Sequence, residues 1–245
     1  MVWRMKSAPL WKVTGLALFV LAVAAAILFV ERLPFFTVSD LRTPGPQVTA
    51  SAQSLPAQIP ALSLGTVSIQ TFAGPISVRT GSGTVISSDG LILTTVTVVP
   101  YGSGSYAYQV ATADGQLLRA KTVWRDRSGL VLLKVPATDL QTVSFDNDAP
   151  IQAGTDLSIV GAFVHLSRYI PVILPAKVPF LADTNDIPLS IDRTFWTMLA
   201  GARATDNAAR AVGIVQLNGA YPRLVSAAII NESIKRYLDS VAKKN

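Results

Sequence analysis

From Val67 onward, apolar and polar residues fall into short β-rich runs bounded by glycine, proline, asparagine and aspartate. That punctuation predicts an antiparallel all-β domain. The clearest runs are Val67–Phe72, Thr84–Ser87, Leu91–Val99, Tyr106–Thr112, Gln116–Trp124, Leu130–Val135 and Leu157–Val160. A second set follows at Val172–Val178, Ala211–Gln216 and Leu224–Ile229, and turns are expected at Ser88–Gly90, Asp114–Gly115 and Asn218–Gly219. The end of the chain changes period. Asn231 suits a helix N-cap, Glu232 its first turn and Lys243–Lys244 its last, while Ile234, Leu238 and Val241 share a face of a helix over 231–243.

The start of the chain has a different pattern. Val13–Val30 carries no charge over 18 residues, the length of a membrane span, so a single transmembrane signal anchor is expected over 13–33. Arg4, Lys6 and Lys12 precede the run, which predicts a cytoplasmic segment 1–12 and export of everything beyond. A cleaved signal peptide is the competing reading, but F-V-E-R-L-P-F-F is a poor cleavage site, and Ala50–Ala52 comes too late. Residues 34–61, with Pro44, Gly45 and Pro46, have the composition of a tether. The globular domain is then 62–245, placed outside the inner or cytoplasmic membrane, in a periplasm or extracellular space.

Composition narrows the function. The chain has 50% hydrophobic and 15% charged residues and a net charge of +6, half of it from the basic residues ahead of the apolar run. From Leu62 onward, 16 Lys and Arg stand against 13 Asp and Glu, and the densest basic stretch, Lys121–Arg127, alternates as a solvated strand face would. A nucleic-acid partner is therefore not expected. With no cysteine, thiol nucleophiles and thiolate metal sites are excluded. Dispersed carboxylates and the absence of a phosphate-binding glycine loop give no sign of a metal or other cofactor.

Three stretches carry chemistry by resemblance. G-S-G-T-V-I-S-S-D-G-L-I-L-T-T-V-T-V-V (Gly81–Val99) resembles the base-bearing segment of HtrA-type, trypsin-like serine peptidases, in which T-N-x-H-V-V supplies the general base. Thr97 stands in the histidine's place, and its hydroxyl cannot take a proton near neutral pH. Ala113–Val135 resembles the strand pair that ends in D-L-A-V-L-K, with Gly129 at the triad aspartate and Asp126 as the nearby alternative carboxylate. Leu189–Val215 resembles the nucleophile segment: Asp192 and Gly213 match its flanking residues, and Ala200 matches the serine. Met198 and Leu199 replace the glycine and asparagine before it, so the oxyanion position is degenerate at Met198.

The resemblance implies two six-stranded barrels, about 62–150 and 151–229, closed by the C-terminal helix. It also implies a pseudoprotease, a membrane-anchored domain that binds a protein or peptide partner without hydrolysing it. The sequence to Asn245 leaves no residues for the PDZ domain usual in that family, and the oligomeric state is open, with Phe35 and Phe36 available for packing or for the membrane interface. Two other classes compete. One is a serine endopeptidase with a rebuilt site, for which Ser82, Ser167 and Lys177 are the candidates, since a lysine can replace histidine as base. The other is a β scaffold unrelated to peptidases. The lone histidine, His165, follows a strand and reads as a packed or solvated side chain.

Overall fold

The computed structural model describes residues 62–102, 105–149, 151–181, 187–218 and 221–243. The expected anchor, the tether and the Asn218–Gly219 turn lie wholly or partly outside them. Among the described residues no helix is long and apolar enough to cross a membrane.

The first six strands are β1 (Thr66–Ala73), β2 (Ile76–Ser87), β3 (Leu91–Thr95), β4 (Tyr106–Ala111), β5 (Leu117–Arg125) and β6 (Leu130–Lys134). They close into an antiparallel barrel in the order β1-β2-β3-β6-β5-β4. Ile69, Val85, Ile92, Val110, Val131 and Leu133 fill its interior. In β3 and β6, hydrophobic residues run without alternation because both faces are covered. Ile92, Val131 and Leu133 point into the barrel, while Leu91, Leu93, Leu130 and Leu132 pack outward against Ile214, Val225 and Ile230.

The second half comprises β7 (Asp156–His165), β8 (Arg168–Lys177), β9 (Ile187–Pro188), β10 (Arg203–Thr205), β11 (Ala211–Asn218) and β12 (Tyr221–Ser226). These form a six-stranded sheet in the order β8-β7-β10-β11-β12-β9, wrapped around Leu157, Ile159, Leu199, Val212, Val215 and Leu224. Among the described residues, the expected second barrel is thus not closed by a continuous ladder. Its margins meet at one bridge, where Lys177 and Ser190 exchange hydrogen bonds of 3.2 and 2.8 Å. The physical reason lies in β8. Lys177 turns its polar backbone away from β7, and by alternation so do Pro171 and Pro175, neither of which has an N–H to offer.

A 3₁₀ turn (Arg193–Phe195) and a one-turn helix α1 (Trp196–Leu199) lead into β10, and helix α2 (Ala227–Ala242) ends the described chain. Helix α2 starts four residues earlier than the sequence pattern predicts. Its N-cap is Ser226, and Asn231 lies inside the helix, with Nδ2 donating to Phe145 O (3.1 Å) and Asn147 Oδ1 (2.7 Å). The expected strand Leu224–Ile229 instead ends at Ser226, because burial of the neighbouring Ile230 between the two halves draws this segment into the helix. The buried face is accordingly Ala227, Ile230 and Ser233, with Ile234 and Tyr237 beside it, whereas Leu238 and Val241 are exposed. Strand β3 likewise ends at Thr95, short of the expected Val99, because the Val98 and Val99 amides both turn back to Thr95 O (3.0 Å each).

The halves meet along Gly81-Ser82-Gly83. A Cβ on Gly81 would lie 2.7 Å from Ala200 O and 2.3 Å from a Val98 methyl, so only glycine permits this approach. Ser82 is the fastener: its N–H donates to Ala200 O (2.8 Å), and its Oγ accepts from Ala162 N (3.0 Å) and lies 3.1 Å from Met198 O. Ser82→Ala leaves the buried Ala162 N–H without its partner. A loss of about 1–3 kcal/mol in chemical unfolding is expected. An unchanged midpoint would show that the seam does not depend on this hydroxyl.

Candidate functional site

Thr97 sits in the helical turn after β3, half-buried at the mouth of a cleft of about 390 Å³ between β2 and β11. Its Oγ donates to Leu217 O (3.0 Å), and its carbonyl accepts from Arg79 Nη1 (2.8 Å). The residue matched to the histidine therefore stitches the cleft's walls together. One residue upstream, Val96 N donates to Gly129 O (2.9 Å), which brings the second matched position alongside.

Gly129 has φ +82°, and a Cβ there would lie 2.1 Å from Gln216 Nε2. Gln216 reaches from β11 into the space an aspartate would use, where Nε2 donates to Ser128 O (3.2 Å). Ala200 follows α1, with its carbonyl held by Ser82, and is only 1% exposed, in the apolar cluster that includes Val98 and borders Val96 and Leu217. The Met198 carbonyl lies within hydrogen-bond reach of the Ser82 hydroxyl. Thr97, Gly129 and Ala200 thus come together around the Gln216–Leu217 segment at the junction of the halves.

Asp126 is committed elsewhere. Its Oδ1 accepts from Ser128 N (2.9 Å), Ser128 Oγ (2.6 Å) and Leu130 N (3.1 Å), while Oδ2 pairs with Arg236 of α2 at 3.3 Å. With 3% side-chain exposure, it organises its own loop and ties it to the helix. Asp192 caps the 3₁₀ turn by accepting from Thr194 N (2.9 Å), and this hydrogen bond from the Thr194 amide holds its carboxyl below the usual range.

The candidates for a rebuilt serine–lysine site do not meet. Ser167 lies in the exposed β7–β8 turn, and Lys177 lies at the far end of β8, roughly 30 Å away at strand rise. Lys177 instead pairs with Asp156 at 3.2 Å. Ser82 is bonded beside Ala162, about 20 Å along β7 from that pair. His165 is exposed at the same hairpin tip and does not line the cleft.

Gln216, Arg79, Thr197 and Leu217 matter to the site but do not stand out in the sequence. Arg79 reads as one charge on a solvated strand, and Gln216 acquires its place only through pairing with a loop 88 residues earlier.

Two antiparallel β units joined at a cleft, where the three segments singled out by resemblance meet, define a trypsin-like peptidase fold. Residues 81–179 match the family model of the trypsin-like peptidase domain. Among solved structures, the chain is similar to the serine endoprotease from Yersinia pestis, with a TM-score of 0.60 and 18% identity over 72% of this chain and 64% of that one. The chain therefore spans 64% of the length of that endoprotease. No curated protein sequence matches. The matched segment and the shared architecture thus agree on a trypsin-like peptidase fold.

Restoring an aspartate at Gly129 meets both a left-handed backbone and the Gln216 amide. Gly129→Asp is expected to lower unfolding stability by about 1–3 kcal/mol. Combining it with Gln216→Ala should recover the part due to collision. Full stability in the single variant, read by thermal and denaturant melts, would contradict the packing described.

Proposed function

We propose that this chain is a catalytically silent, trypsin-like domain that binds polypeptide in the junction cleft, held outside the cytoplasm by an N-terminal membrane anchor. The burial of Ala200 carries the reading. The residue matched to the nucleophile has no hydroxyl, is buried at the junction against the first barrel's core cluster, and is not among the residues that line the cleft. Its neighbours point the same way. A peptidase of this class needs a base near neutral pKa, an acid to orient it and donors for the oxyanion. Thr97 gives its hydroxyl to Leu217, Gln216 occupies the space beside Gly129, and Met198 replaces the glycine of the resemblance.

Loss of triad members costs on the order of 10⁴ to 10⁶ in turnover. Neither hydrolysis of unfolded casein or peptide esters nor labelling by a fluorophosphonate probe is therefore expected. Ala200→Ser alone should remain silent, since the new hydroxyl has no base and is buried. Probe labelling of the parent protein, abolished by one serine-to-alanine change, would establish a working nucleophile and defeat this reading.

The anchor rests on the uncharged run Val13–Val30 and the basic residues before it. A reporter active only outside the cytoplasm, fused after Asn245, should be active, with the full-length protein in the membrane fraction. A soluble mature form starting beyond residue 30 would instead identify a cleaved leader.

A further inference from the structure

Arg79 is the one charged side chain among the described residues that line the junction cleft. Its bond to Thr97 O fixes the guanidinium at the cleft wall and engages one of its nitrogens. A guanidinium carries five N–H donors, so most remain for a ligand. Among the described residues, none of the ion pairs includes Arg79, and no carboxylate lines the cleft. The rest of the lining is hydroxyl (Ser77, Thr80, Thr197) or apolar (Val78, Leu217).

The backbone around it also suits an extended guest. β2 pairs with β3 only through residues 84–87, which leaves the edge of residues 77–80 away from β1 without a strand partner among the described residues. On the opposite wall, Val215 directs its polar backbone away from β12, toward Gly201 and Ala202. By alternation Leu217 does the same at the cleft. Its carbonyl is taken by Thr97, and its N–H is on the cleft side. Unpaired strand edge supplies main-chain affinity, and a fixed side chain beside it supplies selectivity.

We propose that the cleft binds an extended polypeptide segment bearing an acidic side chain, with Arg79 as the carboxylate receptor. This rests on the reading of the domain as a peptide-binding module. One arginine, with no second cation among the described residues that line the cleft, fits a single planar carboxylate, which a guanidinium fork engages through two parallel hydrogen bonds.

The test uses the full-length protein in detergent and two short fluorescein-labelled peptides of alternating valine and threonine, amidated at the C-terminus. One has a central glutamate and the other a glutamine. Fluorescence anisotropy should show the glutamate peptide binding about tenfold more tightly, with a preference that shrinks as salt is raised. Arg79→Gln should abolish the preference and Arg79→Lys keep part of it. Both are surface changes, and unaltered melting curves would exclude a folding defect. Equal binding of the two peptides would overturn the carboxylate assignment while leaving peptide binding intact. Failure of both peptides to bind at millimolar concentration would overturn peptide binding itself. A glutamine peptide with a free C-terminus that matched the glutamate peptide would overturn the side-chain assignment in favour of chain-end recognition.

Discussion

The contact between Ser82 and the segment Met198–Ala200 is the constraint around which the molecule is arranged. Ser82 spends its N–H on Ala200, its hydroxyl on Ala162 and Met198, and its carbonyl on the Thr94 hydroxyl at 2.8 Å. Few residues are so fully occupied, and these bonds span both halves. The glycines on either side make it possible, because Gly83 faces Ile69 and Ile92 inside the barrel while Gly81 faces Val98 and the Ala200 carbonyl at the seam. A buried polar group costs free energy unless it is satisfied, so this network specifies a single docking of the two units.

With the docking set, what occupies the junction follows from volume and hydrogen bonding. A trypsin-like active site keeps a base, an acid and a nucleophile in reach of solvent and of one another. On the reading proposed above, a small hydroxyl residue, a long amide and a methyl group stand at the places matched by resemblance, and each is used for cohesion. Thr97 bonds across the cleft, Gln216 bonds to the loop before β6, and Ala200 adds to a core.

Much of the fold was legible in the sequence because strand punctuation and three spaced motifs are local signals. The three matched positions meet because the motifs themselves run through β2–β3, the loop before β6 and the loop before β10. What sequence reading missed depended on distant partners. Ile229 has strand character, yet the apolar layer under α2 claims the neighbouring Ile230 for a helix. Leu238 and Val241 have the right spacing for a buried face, but that layer ends before it reaches them. Gln216 and Arg79 carry no motif, and their importance arises only where β11 and β2 approach the turn that holds Thr97.

The prolines of β8 have a consequence for how this domain meets other chains. A sheet margin with regularly spaced amides invites a neighbouring strand, including that of an identical molecule. Pro171 and Pro175 delete alternate donors along the longest open margin of the second unit, so a would-be partner finds too few bonds to settle there. Copies crowded together are thereby discouraged from stacking sheet to sheet. A guest chain in search of main-chain bonds finds the margins of β2 and β11 inside the cleft beside Arg79.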